Sequence, residues 1–128
     1  MHHGDIIIMT NIKLAVVGSR NFNDYDLLVS HIDKIASTHN IILIVSGGAI
    51  GADKLGEQYA KKNNIPTQIF FPNWKKYGRS AGIIRNKDII ESADFVIAFW
   101  DGKSSGTLNS INLAKKLGKE LEIVHFDD

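Results

Sequence analysis

Ser46-Gly47-Gly48-Ala49-Ile50-Gly51-Ala52-Asp53 lies between the apolar run 41–45 and a stretch where Ala52, Leu55, Tyr59 and Ala60 recur at helical spacing. A strand therefore turns into a helix across these eight residues. Glycine lets a backbone come close to a ligand, and the first N–H groups of a helix have no intrahelical acceptor. With the helix dipole behind them, such donors favour an anion. Two more turns share this character: Gly18-Ser19-Arg20 after the apolar run 13–17, and Gly102-Lys103-Ser104-Ser105-Gly106-Thr107 after 95–100. Six of the eleven glycines fall in these three turns, all at the carboxyl ends of strands. In an open parallel sheet that edge is where ligands bind.

Working outward, strands are predicted over 13–18, 41–46, 67–71, 95–100 and 120–125. Most are nearly continuous in apolar residues, as expected when both faces of a strand are covered. Between them fall four helical patterns. The first starts at Asn23 or Asp24 and carries Leu28, Ile32, Ile35 and Ala36 on one face. The second ends at Asn63-Asn64 before Pro66, the third covers 81–92, and the fourth covers 107–117 with Gly118 as its cap. Strict alternation of strand and helix with short connections predicts an α/β fold: a five-stranded parallel sheet between helical layers, joined by right-handed crossovers. The chain reads as a leader, 1–12, followed by a single domain, 13–128.

The 128 residues, 44% hydrophobic and 23% charged, fit one ordinary globular domain. No apolar run approaches the length of a membrane span. A net charge of +1 provides no broad field for a nucleic-acid backbone, so anion recognition is expected to be local, the ligand small, and nucleic acid is set aside. The absence of cysteine excludes disulfides and thiolate metal sites and fits a reducing compartment, here read as the cytoplasm. His2 and His3 belong to the leader, which lacks the form of a signal peptide. His31, His39 and His125 show no ligand spacing, so neither a metal nor a cofactor is expected.

If the first and fourth strands are neighbours, their turns open a crevice with the second turn beside it. The hydroxyls of Ser19, Ser46, Ser104 and Thr107 and the turn N–H groups would then converge on a phosphate. Neither GxxxxGK[ST] nor GxGxxG is present, which sets aside an ATPase or an ordinary dehydrogenase. Only three of the fifteen basic residues are arginines: Arg20, Arg79 and Arg85. Arg20, directly after a turn, is the first choice for a phosphate fork; an ion pair with Asp24 or Asp88 is the alternative for this group. Trp74-Lys75-Lys76-Tyr77 lies in a connection, where Trp74 and Tyr77 are candidates to stack on a base. Asp53 and Asp101 are the candidate acids, although Asp53 at a helix start can equally serve the helix dipole. The full ligand-binding set is Gly18, Ser19, Arg20, Ser46, Gly47, Gly48, Gly51, Ala52, Asp53, Arg85, Asn86, Trp100, Asp101, Gly102, Ser104, Gly106 and Thr107.

These motifs in this order resemble the YspA-like group of the SLOG superfamily. The resemblance rests on Gly18-Ser19-Arg20 with Phe22 and Asp24, on Ser46-Gly47-Gly48-Ala49 with Gly51-Ala52-Asp53, and on Trp74 with Tyr77-Gly78. It continues through Ala81-Gly82, Arg85-Asn86, Ala93-Asp94 and Phe99-Trp100-Asp101-Gly102, with Ser104, Gly106 and Thr107. It implies a Rossmann-like three-layer sandwich that binds nucleotides or molecules derived from them. The wider superfamily includes LOG phosphoribohydrolases, DprA-type DNA-binding proteins and sensors of ADP-ribose-like signals. The LOG enzymes carry a catalytic glutamate after their Gly-Thr pair, whereas Leu108-Asn109-Ser110 follows Gly106-Thr107 here. The leading expectation is thus a binding module for a phosphorylated, ribose-containing small molecule. Hydrolysis of an N-glycosidic bond using Asp53 or Asp101 is the second, and DprA-like binding of single-stranded DNA the third. Ile83, Ile84, Ile89 and Ile90 place apolar groups on several sides of the third helix, which predicts self-association.

Overall fold

The computed structural model describes residues 9–127; the greater part of the predicted leader, with His2 and His3, lies outside them. The elements run β1 (Thr10–Gly18), α1 (Tyr25–Ala36), β2 (His39–Ser46), α2 (Ala52–Lys62), β3 (Thr67–Ile69), α3 (Trp74–Tyr77), a 3₁₀ turn (Gly78–Ser80), α4 (Ala81–Ser92), β4 (Phe95–Trp100), α5 (Ser105–Lys116) and β5 (Glu120–His125). The sheet order is β3-β2-β1-β4-β5 and every pairing is parallel. This is the Rossmann-like α/β sandwich that the alternation predicts.

Alternation along β1 divides the core in two. Leu14 and Val16 point to one face, where Leu28, Ile32 and Ile35 of α1 and Tyr59 and Ala60 of α2 cover them. Ala15 and Val17 point to the other, under Ile89 and Ile90 of α4 and Ile111 and Ala114 of α5. Two of the four isoleucines read as a self-association surface, Ile89 and Ile90, are therefore core residues.

The differences from the sequence reading lie at element ends. β1 and β2 begin at Thr10 and His39 because the polar pairs Thr10↔His39 and Asn11↔Asn40 extend the ladder beyond the apolar runs. β3 stops at Ile69. Although Phe70 N–H still donates to Ser46 O at 2.9 Å, the backbone then leaves the sheet for Pro72. The Trp74–Tyr77 connection contains a short helix, capped by Asn73 Oδ1 accepting from Lys76 N–H at 3.0 Å. Among the described residues, no helix is long and apolar enough to cross a membrane.

Candidate functional site

The chain leaves β1 toward β2 and leaves β4 toward β5, so the carboxyl ends of these central neighbours part around a crevice. The first turn fits there because Gly18 has no side chain: a Cβ would lie 2.5 Å from Phe99 O and 2.7 Å from Ala52 Cβ. Ser19, buried, then donates its N–H to Phe99 O at 2.9 Å, and its carbonyl accepts from Phe22 N–H and Ala52 N–H. Its Oγ accepts from Asp101 N–H at 3.3 Å. The start of α2 is thereby fastened to the turn after β1. Gly51 completes this contact at φ 88°, where a Cβ would stand 2.4 Å from Ser19 O.

In the second turn the N–H groups of Gly47, Gly48 and Ala49 are engaged within the chain. Asp53, 6% exposed, accepts through Oδ2 from Gly47 N–H at 3.1 Å and Ala49 N–H at 3.3 Å. Gly48 N–H donates to Ser46 Oγ at 3.2 Å, and the Ser46 hydroxyl donates to Glu57 Oε2 at 2.8 Å. Arg85 on α4 holds the same loop from the other side, Nη1 donating to Gly47 O at 2.7 Å. Burial raises the Asp53 carboxyl to about 6, against the pull of the Ala49 and Gly47 N–H groups and Arg85. Burial also lowers the Arg85 guanidinium from its ordinary value, and Arg20 nearby adds to that. Backbone donors expected to hold a ligand's phosphate at Gly47 are thus held by the protein's own carboxylate.

The third turn is built around Asp101. Its Oδ1 accepts from Lys103 N–H at 2.9 Å and Ser104 N–H at 2.8 Å. These bonds, Ser104 first, hold its carboxyl below the usual carboxylate range. Ser104 caps α5, its Oγ accepting from Thr107 N–H at 3.4 Å, and its carbonyl accepts from the Trp100 indole at 3.0 Å. Trp100 and Asp101 therefore shape this turn from behind. Asn86 ties α4 to it, Nδ2 donating to Gly106 O at 3.4 Å and Asn109 Oδ1 at 3.2 Å. The N–H groups of Ser105 and Gly106, in the first turn of α5, have no acceptor among the described residues.

Between the turns lies a cavity of about 450 Å³. Of the expected residues it gathers Gly18, Ser19, Arg20, Asp53, Arg85, Asn86, Ser104, Gly106 and Thr107. Ser46, Gly47, Gly48, Gly51, Ala52, Trp100, Asp101 and Gly102 belong to the same turns but do not line it. Val17, Asn21, Ala49, Ile89 and Ser110 also line it, outside the expected ligand-binding set. Ser110 could have been found, since it follows Thr107 by one helical turn on the same face. Arg20 is exposed and in no ion pair among the described residues, so the alternative of a partner in Asp24 or Asp88 does not arise there. Trp74 and Tyr77, 55% and 39% exposed, lie outside the cavity. The Trp74 ring edge approaches Gly82, at the start of α4.

A model of the YspA, cpYpsA-related SLOG family matches residues 12–77, just over half of the chain. The chain belongs to this family. The chain is also similar to the Gene 61 protein of Mycobacterium phage D29, 28% identical over 91% of this chain and 97% of the phage protein. Among solved structures, the SLOG domain resembles DNA processing protein A (DprA) from Streptococcus pneumoniae with a TM-score of 0.71 and 21% identity. It resembles DNA processing protein A from Helicobacter pylori, described for its single-stranded DNA binding mode, with a TM-score of 0.69 and 23% identity. The domain covers 90% and 89% of itself in these matches, but spans only 50% of the pneumococcal chain and 65% of the other.

Two expectations are corrected by these neighbours. A small phosphorylated, ribose-containing molecule was the expected ligand and nucleic acid the partner set aside, yet both solved structures are DNA-processing proteins. Net charge alone does not decide the partner. A net charge of +1 averages the whole surface, whereas Arg20 and Arg85 are concentrated at one crevice.

Proposed function

We propose that this SLOG domain binds single-stranded DNA at the crevice between β1 and β4. The observation that carries the reading is Arg20: an exposed guanidinium without an ion-pair partner among the described residues, beside Arg85 and the open N–H groups of Ser105 and Gly106. Arginine presents a fork of donors that matches a phosphodiester, and a helix N-terminus adds a favourable field. The fold shared with two DNA-processing proteins, one described by its single-stranded DNA binding mode, supports the same partner. Trp74 and Tyr77 stand exposed beyond the crevice, and unpaired bases stack on such rings without regard to sequence. Base-paired DNA turns its bases inward and offers them nothing.

The test is fluorescence anisotropy with a labelled twenty-nucleotide oligothymidine at about 50 mM salt, a range in which phosphate contacts are strong. The protein should bind it in preference to a duplex of the same length, and Arg20→Gln should weaken binding about tenfold, the scale of a charge-assisted contact. Absence of oligothymidine binding would remove the reading.

A further inference from the structure

We propose, resting on the DNA-binding reading above, that Phe71 is a base-stacking shelf of the site, taking an unpaired base next to the phosphate held at Arg20 and Arg85. Phe71 is 68% exposed, the most exposed of the large apolar side chains among the described residues. Exposure alone carries little; its position carries more. Phe70 and Phe71 diverge as the chain leaves the sheet: Phe70 packs into the core under α4 and α5, and Phe71 turns out on the side of Ile69. There its ring lies against Gly48: a Cβ on that residue would stand 2.8 Å from Phe71 Cε1 and 3.0 Å from Ile69 Cγ2. The ring is therefore seated against bare backbone at Gly48.

The peptide it rests on belongs to the crevice. Gly47, the preceding residue, accepts from Arg85 and donates to Asp53, and Ala49, the next, lines the cavity. Arg85 and Phe71 thus flank the same pair of glycines, whose Cα atoms are about 3.8 Å apart. A cation beside an exposed aromatic face, one residue apart along a fixed loop, is the arrangement that grips a backbone phosphate and the base attached to it. The occupant is an unpaired nucleobase because the crevice that the ring adjoins offers a guanidinium to a phosphate, which an apolar protein partner would leave unused. Asp53 is part of the device: by holding Gly47 and Ala49 it keeps the loop under Phe71 from moving.

The experiment compares labelled oligothymidine with an abasic strand of equal length and charge, in which tetrahydrofuran replaces each nucleoside sugar and base. Phe71→Ala should weaken oligothymidine binding at least about fivefold, the lower end of a single stacking contact, and leave the abasic strand unchanged. Phe71→Trp should retain binding, while Arg20→Gln should weaken both strands alike. The shelf is overturned if Phe71→Ala binds oligothymidine like the wild type, or loses both strands equally. If the wild type binds no oligothymidine, the parent reading falls and the shelf with it, an outcome distinct from either of the others.

Discussion

Asp53 contains two opposed demands in one carboxyl group. It is nearly excluded from water, which favours the neutral acid, yet it accepts two backbone N–H groups and faces Arg85, which favour the anion. Burial prevails and the carboxyl rises to about 6. The sign for stability follows. Below the ordinary value of 3.8 the group is protonated whether the chain is folded or not; between 3.8 and about 6 the unfolded chain releases a proton that the folded one keeps. Stability from this group therefore falls as pH rises through that window, by about 3 kcal/mol in all, and by roughly 1 kcal/mol between pH 5 and 7. Glu57 on the same helix adds to the rise, and Arg85 on α4 opposes it. Asp53→Asn should flatten the fall in Tm between pH 5 and 7 by about 3–5 °C. Calorimetry of both proteins at the two pH values checks this, and an unchanged difference in the variant would show that another group is responsible. The position of Asp53 at a helix start was visible in the sequence. That its carboxylate reaches back across Gly47 was not, because the return depends on how tightly Gly51 lets α2 sit against Ser19.

Turns between elements show the same dependence on packing. The alternation of apolar runs with helical patterns made the strand and helix order legible, and the three glycine turns did fall at strand ends around the β1/β4 opening. Less legible was which turn donors remain open, since that depends on side chains folding onto their own loops: Asp53 on Gly47, and Asp101 on Lys103 and Ser104. The glycines themselves differ in a way that sequence cannot separate. Gly51 and Gly102 both have positive φ, 88° and 80°, but a Cβ on Gly51 would strike the Ser19 carbonyl at 2.4 Å while one on Gly102 would meet nothing within 4 Å. Gly102→Ala should cost only the backbone strain, about 1–2 kcal/mol. Gly51→Ala adds a backbone collision that only separation of α2 from the β1 turn can relieve, so it should destabilise by at least about 3 kcal/mol. Urea unfolding of the two variants measures this; equal losses would mean that the contact between Gly51 and Ser19 is not a fixed part of the fold.

At the scale of the whole molecule, fifteen basic against fourteen acidic residues leave the surface nearly neutral, so whatever holds a polyanion must do so at a few points. This gives DNA binding a measurable signature. Each phosphate neutralised on a single strand contributes about −0.7 to the slope of log K against log salt. Arg20 and Arg85 together would give a slope of about −1.4, and Arg20→Gln should reduce it to about −0.7. A protein that wraps a strand in a broad basic groove would show a slope several times steeper, together with a loss of binding at moderate salt. Stacking on Phe71, Trp74 and Tyr77 is nearly indifferent to salt, so the residual affinity extrapolated to high salt measures the aromatic share. Titrations of oligothymidine from 50 to 300 mM salt separate the two contributions. A wild-type slope beyond about −4 would place the principal contacts on the scattered lysines rather than at the crevice, and the arginine pair would then lose its central part in binding.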